Sequence, residues 1–273
     1  MQLSGHCPLC GGREDLSFNL GKGAWQCFRC GERGGIKALA TACNVDLPPS
    51  WMDGAPGSAP EEAARIEAER RKSAEGENSA RLQAVQAARK LWSASAPAGP
   101  GHPYLARKGV APFDLRQDGN ALVVPLLDAS GELHGVQLIT PDGSKRYPRC
   151  TAKTGHFWPL GGVEELRKAE TVVIAEGVAT ACSVAELFPS TGPFCVVAAM
   201  DAGNLLPVAR GIMGSRPGVR VVFAADNDAR EGTAANPGVD HATRAAEAVG
   251  GALVVPPAVP GDWNDRVCAR GTT

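Results

Sequence analysis

Two apolar runs about fifty positions apart, each ending in carboxylates, constrain this chain more than any other feature. The first is Thr171-Val-Val-Ile-Ala-Glu176-Gly177 and the second Val219-Arg-Val-Val-Phe-Ala-Ala-Asp226-Asn227-Asp228. Neither alternates polar with apolar residues, so each suits a strand buried on both faces of a parallel sheet. Neighbouring segments extend the pattern. Val178 to Leu187 has helical spacing and stops at Phe188-Pro189, Phe194 to Ala199 reads as a strand, His241 to Val249 as a helix, and Ala252 to Val255 as a strand. That alternation implies an α/β fold, a parallel sheet with flanking helices and right-handed crossovers. Ligands of open α/β sheets bind beyond the carboxyl ends of the strands, where Glu176, Asp226 and Asp228 fall. Three oxygen donors there make a Mg²⁺ site the leading expectation, with Mn²⁺ as the alternative. Gly177 lets the chain leave its strand sharply beside that edge. Carboxylates at strand ends also cap helices, and Asp226-Asn227-Asp228 alone reads equally well as a capping turn. The pairing of two acidic strand ends favours a metal.

Cys7-Pro-Leu-Cys10-Gly-Gly and Cys27-Phe-Arg-Cys30-Gly have the spacing of a four-thiolate zinc site. Gly11, Gly12 and Gly31 permit the tight turns that aim backbone N–H groups at the sulfurs. Leu16, Phe18 and Trp25 between the knuckles are placed as short strands require, which gives a zinc ribbon. Such a module has too little core to fold alone, whereas structural zinc contributes on the order of 10 kcal/mol. With four protein ligands the site is closed and structural. Lys22, Arg29, Arg33 and Lys37 are candidates for contacting nucleic acid.

Leu47 to Pro60 is a Pro/Gly/Ser-rich break. Glu61 to Trp92 has helical composition with a thin apolar stripe, interrupted near Gly76, and reads as a solvated tether. Leu122 to Leu127 and Leu133 to Ile139 then form a predicted β-hairpin. Gly143 to Trp158 carries Lys145, Arg146, Arg149 and Lys153 with no acidic residue, interleaved with Tyr147, Phe157 and Trp158. Cations for phosphates and aromatic faces for bases compose a groove for a nucleotide or a single strand. The expected domains are therefore a ribbon over 1–46, a linker and charged helix over 47–100, a small basic α+β subdomain over 101–168 and the parallel sheet over 169–273.

Nine cysteines, an odd number with two C-x-x-C pairs, fit metal binding in a reducing cytoplasm better than a disulfide framework. His6, Cys7 and Cys10 occupy the place of a signal-peptide apolar core, and no apolar run is long enough to span a bilayer, so no membrane role is expected. The formal net charge of −1 gives no global attraction for polyanions, which leaves nucleic-acid binding to local basic patches.

The run ending in Glu176-Gly177, together with Asp226-Asn227-Asp228, resembles the Toprim domain shared by bacterial-type primases, topoisomerases, recombination mediators and some nucleases. The fuller pattern, EGVATA at 176–181, DAGNLLPVA at 201–209, AADND at 224–228 and DWND at 262–265, resembles plasmid and phage primases with an amino-terminal zinc ribbon. That resemblance implies a DNA primase making short RNA primers on a single-stranded DNA template from ribonucleoside triphosphates, with a separate replicative helicase as partner. Glu176, Asp226 and Asp228 would be its catalytic magnesium site. Lys145, Arg146, Tyr147 and Lys153 would hold nucleotide or template, and Asp201, Asn204, Asp262 and Asp265 would be second-shell or additional metal ligands. The chain departs from replicative primases in having Val178, Ala179 and Thr180 where an acidic residue usually follows the Glu-Gly, and in lacking an arginine near Leu138 and Ile139. A Toprim nuclease and a non-enzymatic zinc-ribbon adaptor are the rival readings. With only Tyr104 and Tyr147 as tyrosines, a topoisomerase is not expected.

Overall fold

The computed structural model describes residues 2–20, 23–48, 60–188, 193–227, 229, 236–256 and 261–265. Lys22, Asp228 and most of the Pro/Gly/Ser-rich break lie outside them. The chain divides into two compact units, Met1–Ala74 and Glu75–Thr273. No helix among the described residues is long and apolar enough to cross a membrane.

The first unit holds an antiparallel sheet of β1 (Gln2–Gly5), β2 (Leu16–Asn19), β3 (Ala24–Cys27) and β4 (Arg33–Gly35), paired in chain order, followed by α1 (Ile36–Cys43). Leu16 lies opposite Cys27 and Phe18 opposite Trp25, so the apolar residues between the cysteine pairs share a short sheet. Its core is small: Cys7, Leu16, Trp25 and Cys27, with Cys10, Phe18 and Leu39 against it.

Helix α2 (Pro60–Ala94) runs through Gly76 without interruption. Glycine costs a helix roughly 1 kcal/mol, which the surrounding Ala, Glu, Arg and Lys absorb. Its carboxyl end is no tether: Ala88, Leu91 and Trp92 pack on Val123, Val136 and Leu138 of a five-stranded sheet. That sheet, in the order β5 (Ala96–Pro97), β6 (Arg116–Asp118), β7 (Ala121–Leu127), β8 (Leu133–Ile139), β9 (Lys145–Arg146), is antiparallel throughout. Arg116 reinforces the junction by donating to the Trp92 carbonyl at 2.8 Å while its guanidinium lies over the Trp92 ring. The short helix α3 (Pro103–Lys108) lies between β5 and β6 in the chain and buries Tyr104 and Leu105.

After β10 (Trp158–Pro159) and α4 (Val163–Lys168) comes the second sheet, whose strands β11 (Thr171–Ala175), β12 (Phe194–Ala198), β13 (Arg220–Ala224) and β14 (Ala252–Val254) are mutually parallel. The order is β10-β12-β11-β13-β14, with β10 an antiparallel edge. Helices α5 (Val178–Leu187), α6 (Leu205–Ser215) and α7 (Pro237–Val249) complete the crossovers. Val172 and Ile174 face one core with Val208 and Ile212 of α6 and Ala242 and Ala245 of α7. Ala175 faces the other with Val178 and Ala181 of α5. Burial on both faces is why β11 and β13 do not alternate. The second core also takes in Leu122, Val124, Leu126 and Ile139 from the hairpin, so the antiparallel and parallel sheets share one interior.

Candidate functional site: an acidic strand edge beside a basic hairpin

The register Thr171↔Arg220 through Ala175↔Ala224 brings the ends of β11 and β13 side by side. Glu176 is the first residue past its strand and Asp226 the second past its own, both half-buried. Asp226 is positioned by the neighbouring helix. The buried Thr180 hydroxyl, in the first turn of α5, donates to its carboxylate at 3.1 and 3.4 Å. A carboxylate there also meets the positive end of the helix dipole. Thr180 thus occupies the place where the resemblance led one to look for an acid, and the sequence signal was that departure itself.

The DWND segment closes on the same edge. An antiparallel bridge joins Asn227 to Gly261 and so sets Asp226 across from Asp262. The buried Trp263 anchors it, its indole N–H donating to the Ala225 carbonyl at 3.0 Å. Asp262 and Asp265 are tied to each other: the Asp262 side chain accepts from the Asp265 amide at 2.8 Å, and the Asp265 side chain accepts from the Asp262 amide at 3.0 Å. This is a reciprocal cap on a helical turn over 263–265.

The basic hairpin arrives from the other side. Lys145 and Arg146 are exposed on β9, opposite Ile139 and Leu138. The Lys145 ammonium lies 3.7 Å from the point where a Cβ on Gly177 would stand, beside the turn that follows Glu176. Beyond β12, Asp201 forms an ion pair with Lys153, whose ammonium is 5.9 Å from the Tyr147 ring centre. Burial, and secondarily the Asp201 charge, push the Tyr147 phenol up to about 12. The Tyr147 hydroxyl accepts from the Gln137 amide at 2.5 Å. Asn204 has a different place from a metal shell. Its amide N donates to the carbonyls of Ala199, His156 and Lys153, and its amide O accepts from the Gly155 N–H at 2.7 Å. The side chain is spent bracing the loop over 153–156. Asp226 and Asp262 therefore lie next to the Asn227–Gly261 bridge, with Lys145 beside Gly177 and Lys153 on Asp201.

In the first unit the four cysteine sulfurs lie within 4.8 Å of one another. Cys7 Sγ is 3.8 Å from Cys30 Sγ, and Cys10 Sγ is 3.7 Å from Cys27 Sγ. A tetrahedron with metal–sulfur bonds of about 2.3 Å has edges of about 3.8 Å, so the donor set fits a zinc ion as it stands. The knuckles turn at Gly11 and Gly31, both at positive φ, and the Cys30 amide points at Cys27 Sγ at 3.5 Å. The N–H groups of Cys30 and then Arg29 hold the Cys27 thiol down at about 7. At Cys30 the Glu32 N–H acts in the same direction, but desolvation and the three neighbouring thiols outweigh it and push the group up to about 12. Four sulfurs this close cannot all ionise without a cation among them.

A third group, Asp128, Glu132 and His134, also lies within 4.8 Å. Its atoms are already used. Asp128 accepts from the Ser130 hydroxyl and amide, the Glu132 amide and His134, while Glu132 pairs with Arg89. It is the turn of the β7–β8 hairpin.

Residues 171–273 match the family described as the Toprim domain. Over this stretch, somewhat more than a third of the chain, the sequence is similar to that domain. Two proteins from Escherichia coli named DNA primase TraC are 37% and 38% identical to the chain over 167 residues. The similarity covers 59% of this chain but only 11% and 15% of those relatives. Among solved structures, the primase fragment of the bacteriophage T7 primase-helicase covers all of both chains at 13% identity with a TM-score of 0.44. The zinc-binding and RNA polymerase domains of the Aquifex aeolicus primase give 14% and 0.41 over 99% of this chain and 76% of theirs. These two likenesses are too loose to bear on function. The matched stretch carries Glu176, Asp226, Asp201 and the DWND segment, whereas Lys145, on β9, and Tyr147 and Lys153, just after it, precede that stretch.

Proposed function

We propose that the chain is the polymerising part of a DNA primase, making short RNA primers on single-stranded DNA for plasmid or phage replication by Mg²⁺-dependent nucleotidyl transfer. The observation that carries this is the juxtaposition at one edge of Glu176 and Asp226 with Lys145, supported by the stretch shared with the TraC primases. Glu176, Asp226 and Asp228 would hold the catalytic ion, Mg²⁺ or Mn²⁺, which when bound neutralises triphosphate charge and aligns the attacking hydroxyl. Thr180 holds the Asp226 carboxylate in one orientation. Lys145 and Lys153 meet triphosphate or template phosphates as point charges, and Arg146 and Tyr147 border the same path. Asp262 and Asp265 shape the outer rim. The Cys7, Cys10, Cys27 and Cys30 cluster holds a structural zinc, and the ribbon meets the template through Arg29 and Arg33. The protein works in the cytoplasm with a separate replicative helicase.

The test is an extension assay with single-stranded DNA, ribonucleotides and Mg²⁺. Glu176→Gln is expected to lower synthesis by a hundredfold or more, on the order of one transition-state charge contact, while leaving DNA binding and melting temperature unchanged. Cleavage of the DNA in place of extension would assign the edge to a nuclease. DNA binding without either reaction, abolished by zinc removal alone, would make the chain an adaptor.

A further inference from the structure

Lys153 is held more firmly than a surface lysine needs to be. Its ammonium is paired with Asp201 and faces the Tyr147 ring, yet the two charged side chains remain 39% and 35% exposed, so they face solvent. A pair that exposed contributes little to stability. The surroundings are nevertheless built. Met200, buried and at φ 77°, turns the backbone so that Asp201 leaves β12 in one direction. Non-glycine residues at such angles persist only where the surrounding structure enforces them. Asn204, 2% exposed, then binds the Lys153 carbonyl and the Ala199 carbonyl at once, clamping the lysine's loop to the segment that presents the aspartate. On the far side Gln137, 1% exposed, fixes the Tyr147 hydroxyl, although its own amide oxygen has no partner. A buried unpaired acceptor is a cost the fold carries while the tyrosine stays in place. Both backbones and the aromatic wall are thus fixed, and among the described residues the ammonium itself is held only by the Asp201 carboxylate and the ring.

We propose that Asp201 is a latch: it stores the Lys153 ammonium against Tyr147 and yields it to the phosphate groups of an incoming nucleotide. This inference rests on the proposed nucleotide site and gives Asp201 a role distinct from metal ligation. A triphosphate outcompetes a single carboxylate for an ammonium because it offers more charge and more acceptor oxygens. Lys153 therefore changes partner without a backbone movement, and Asp201 sets how much phosphate charge is required to release it. Asp201 is a positioning residue that weakens binding of weakly charged ligands more than of triphosphates.

The test is a double-mutant cycle on the full chain, read as the dissociation constant of ATP with Mg²⁺. Asp201→Asn is expected to tighten binding about two- to fivefold, the worth of releasing one exposed ion pair. In a Lys153→Ala background the same substitution should change it less than about half as much on the logarithmic scale. Looser binding in Asp201→Asn would make Asp201 a metal ligand and overturn the latch. Equal tightening in both backgrounds would reduce it to bulk charge and overturn it as well. If no variant binds nucleotide, the proposed nucleotide site fails. Storage is then decided by the rate at which an amine-reactive ester modifies Lys153, read by peptide mass mapping: a severalfold rise in Asp201→Asn supports the stored lysine, and an unchanged rate overturns it.

Discussion

The cysteine cluster and the acidic edge are both gatherings of metal-ligating side chains, but they relate to their folds in opposite ways. In the ribbon, two of the four sulfurs, Cys7 and Cys27, are themselves half of a four-residue core, so the ligand set is part of the hydrophobic interior. At the acidic edge the carboxylates stand outside a core that needs none of them, since Ala175, Ala198, Ala224 and Trp263 close the interior beneath. A closed donor set makes a fold depend on its ion; an open one leaves the ion free to turn over with substrate.

That contrast is broken most directly by denying the ribbon the zinc proposed for it. Chelation or Cys27→Ser is expected to remove on the order of 10 kcal/mol from the ribbon, so that amides over 2–43 lose hydrogen-exchange protection while β11 and β12 keep theirs. Protection lost in both units together would show that the larger core depends on the ribbon after all. The converse test strikes the larger core itself. Trp158 is fully buried, with its indole N–H on Asp114 at 3.0 Å, and Trp158→Ala should cost about 3–5 kcal/mol by denaturant unfolding, with no rescue by Mg²⁺. Rescue by the ion would mean that the edge, like the ribbon, is folded by its ligand. The smallest effect sharpens the edge alone. Thr180→Val keeps the shape but removes the hydroxyl from Asp226, so metal affinity should fall about tenfold while stability changes by about 1 kcal/mol. A large loss of stability with metal affinity intact would make Thr180 a core residue that happens to touch a carboxylate.

Particular residues show how far the sequence reaches. Val172 and Val173 are both apolar because opposite faces of β11 are both covered, and that continuous run was enough to identify a parallel-sheet strand. The cysteine spacing was enough for the knuckles, since the reach of a two-residue turn is fixed by backbone geometry alone. Helix α6 was missed because Leu205-Leu-Pro-Val follows a 3-10 turn over 202–204 and carries its proline in the first turn, where a missing N–H costs nothing. The packing end of α2 was also missed: Leu91 and Trp92 are a thin stripe by composition, and only the uncovered face of the hairpin makes them core.

The sequence by itself determined the local chemistry: which strands are buried twice, which cysteines cluster, and which carboxylates end their strands. Those follow from periodicity and short-range geometry, which a chain carries with it. Only the tertiary structure decided which of the distant charged groups meet. Lys153 is joined to Asp201 across 48 positions, Thr180 to Asp226 across 46, and Asn204 is spent on a loop 49 residues away. Such pairings depend on strand order and on the shared interior of two sheets, and neither is encoded in any one segment.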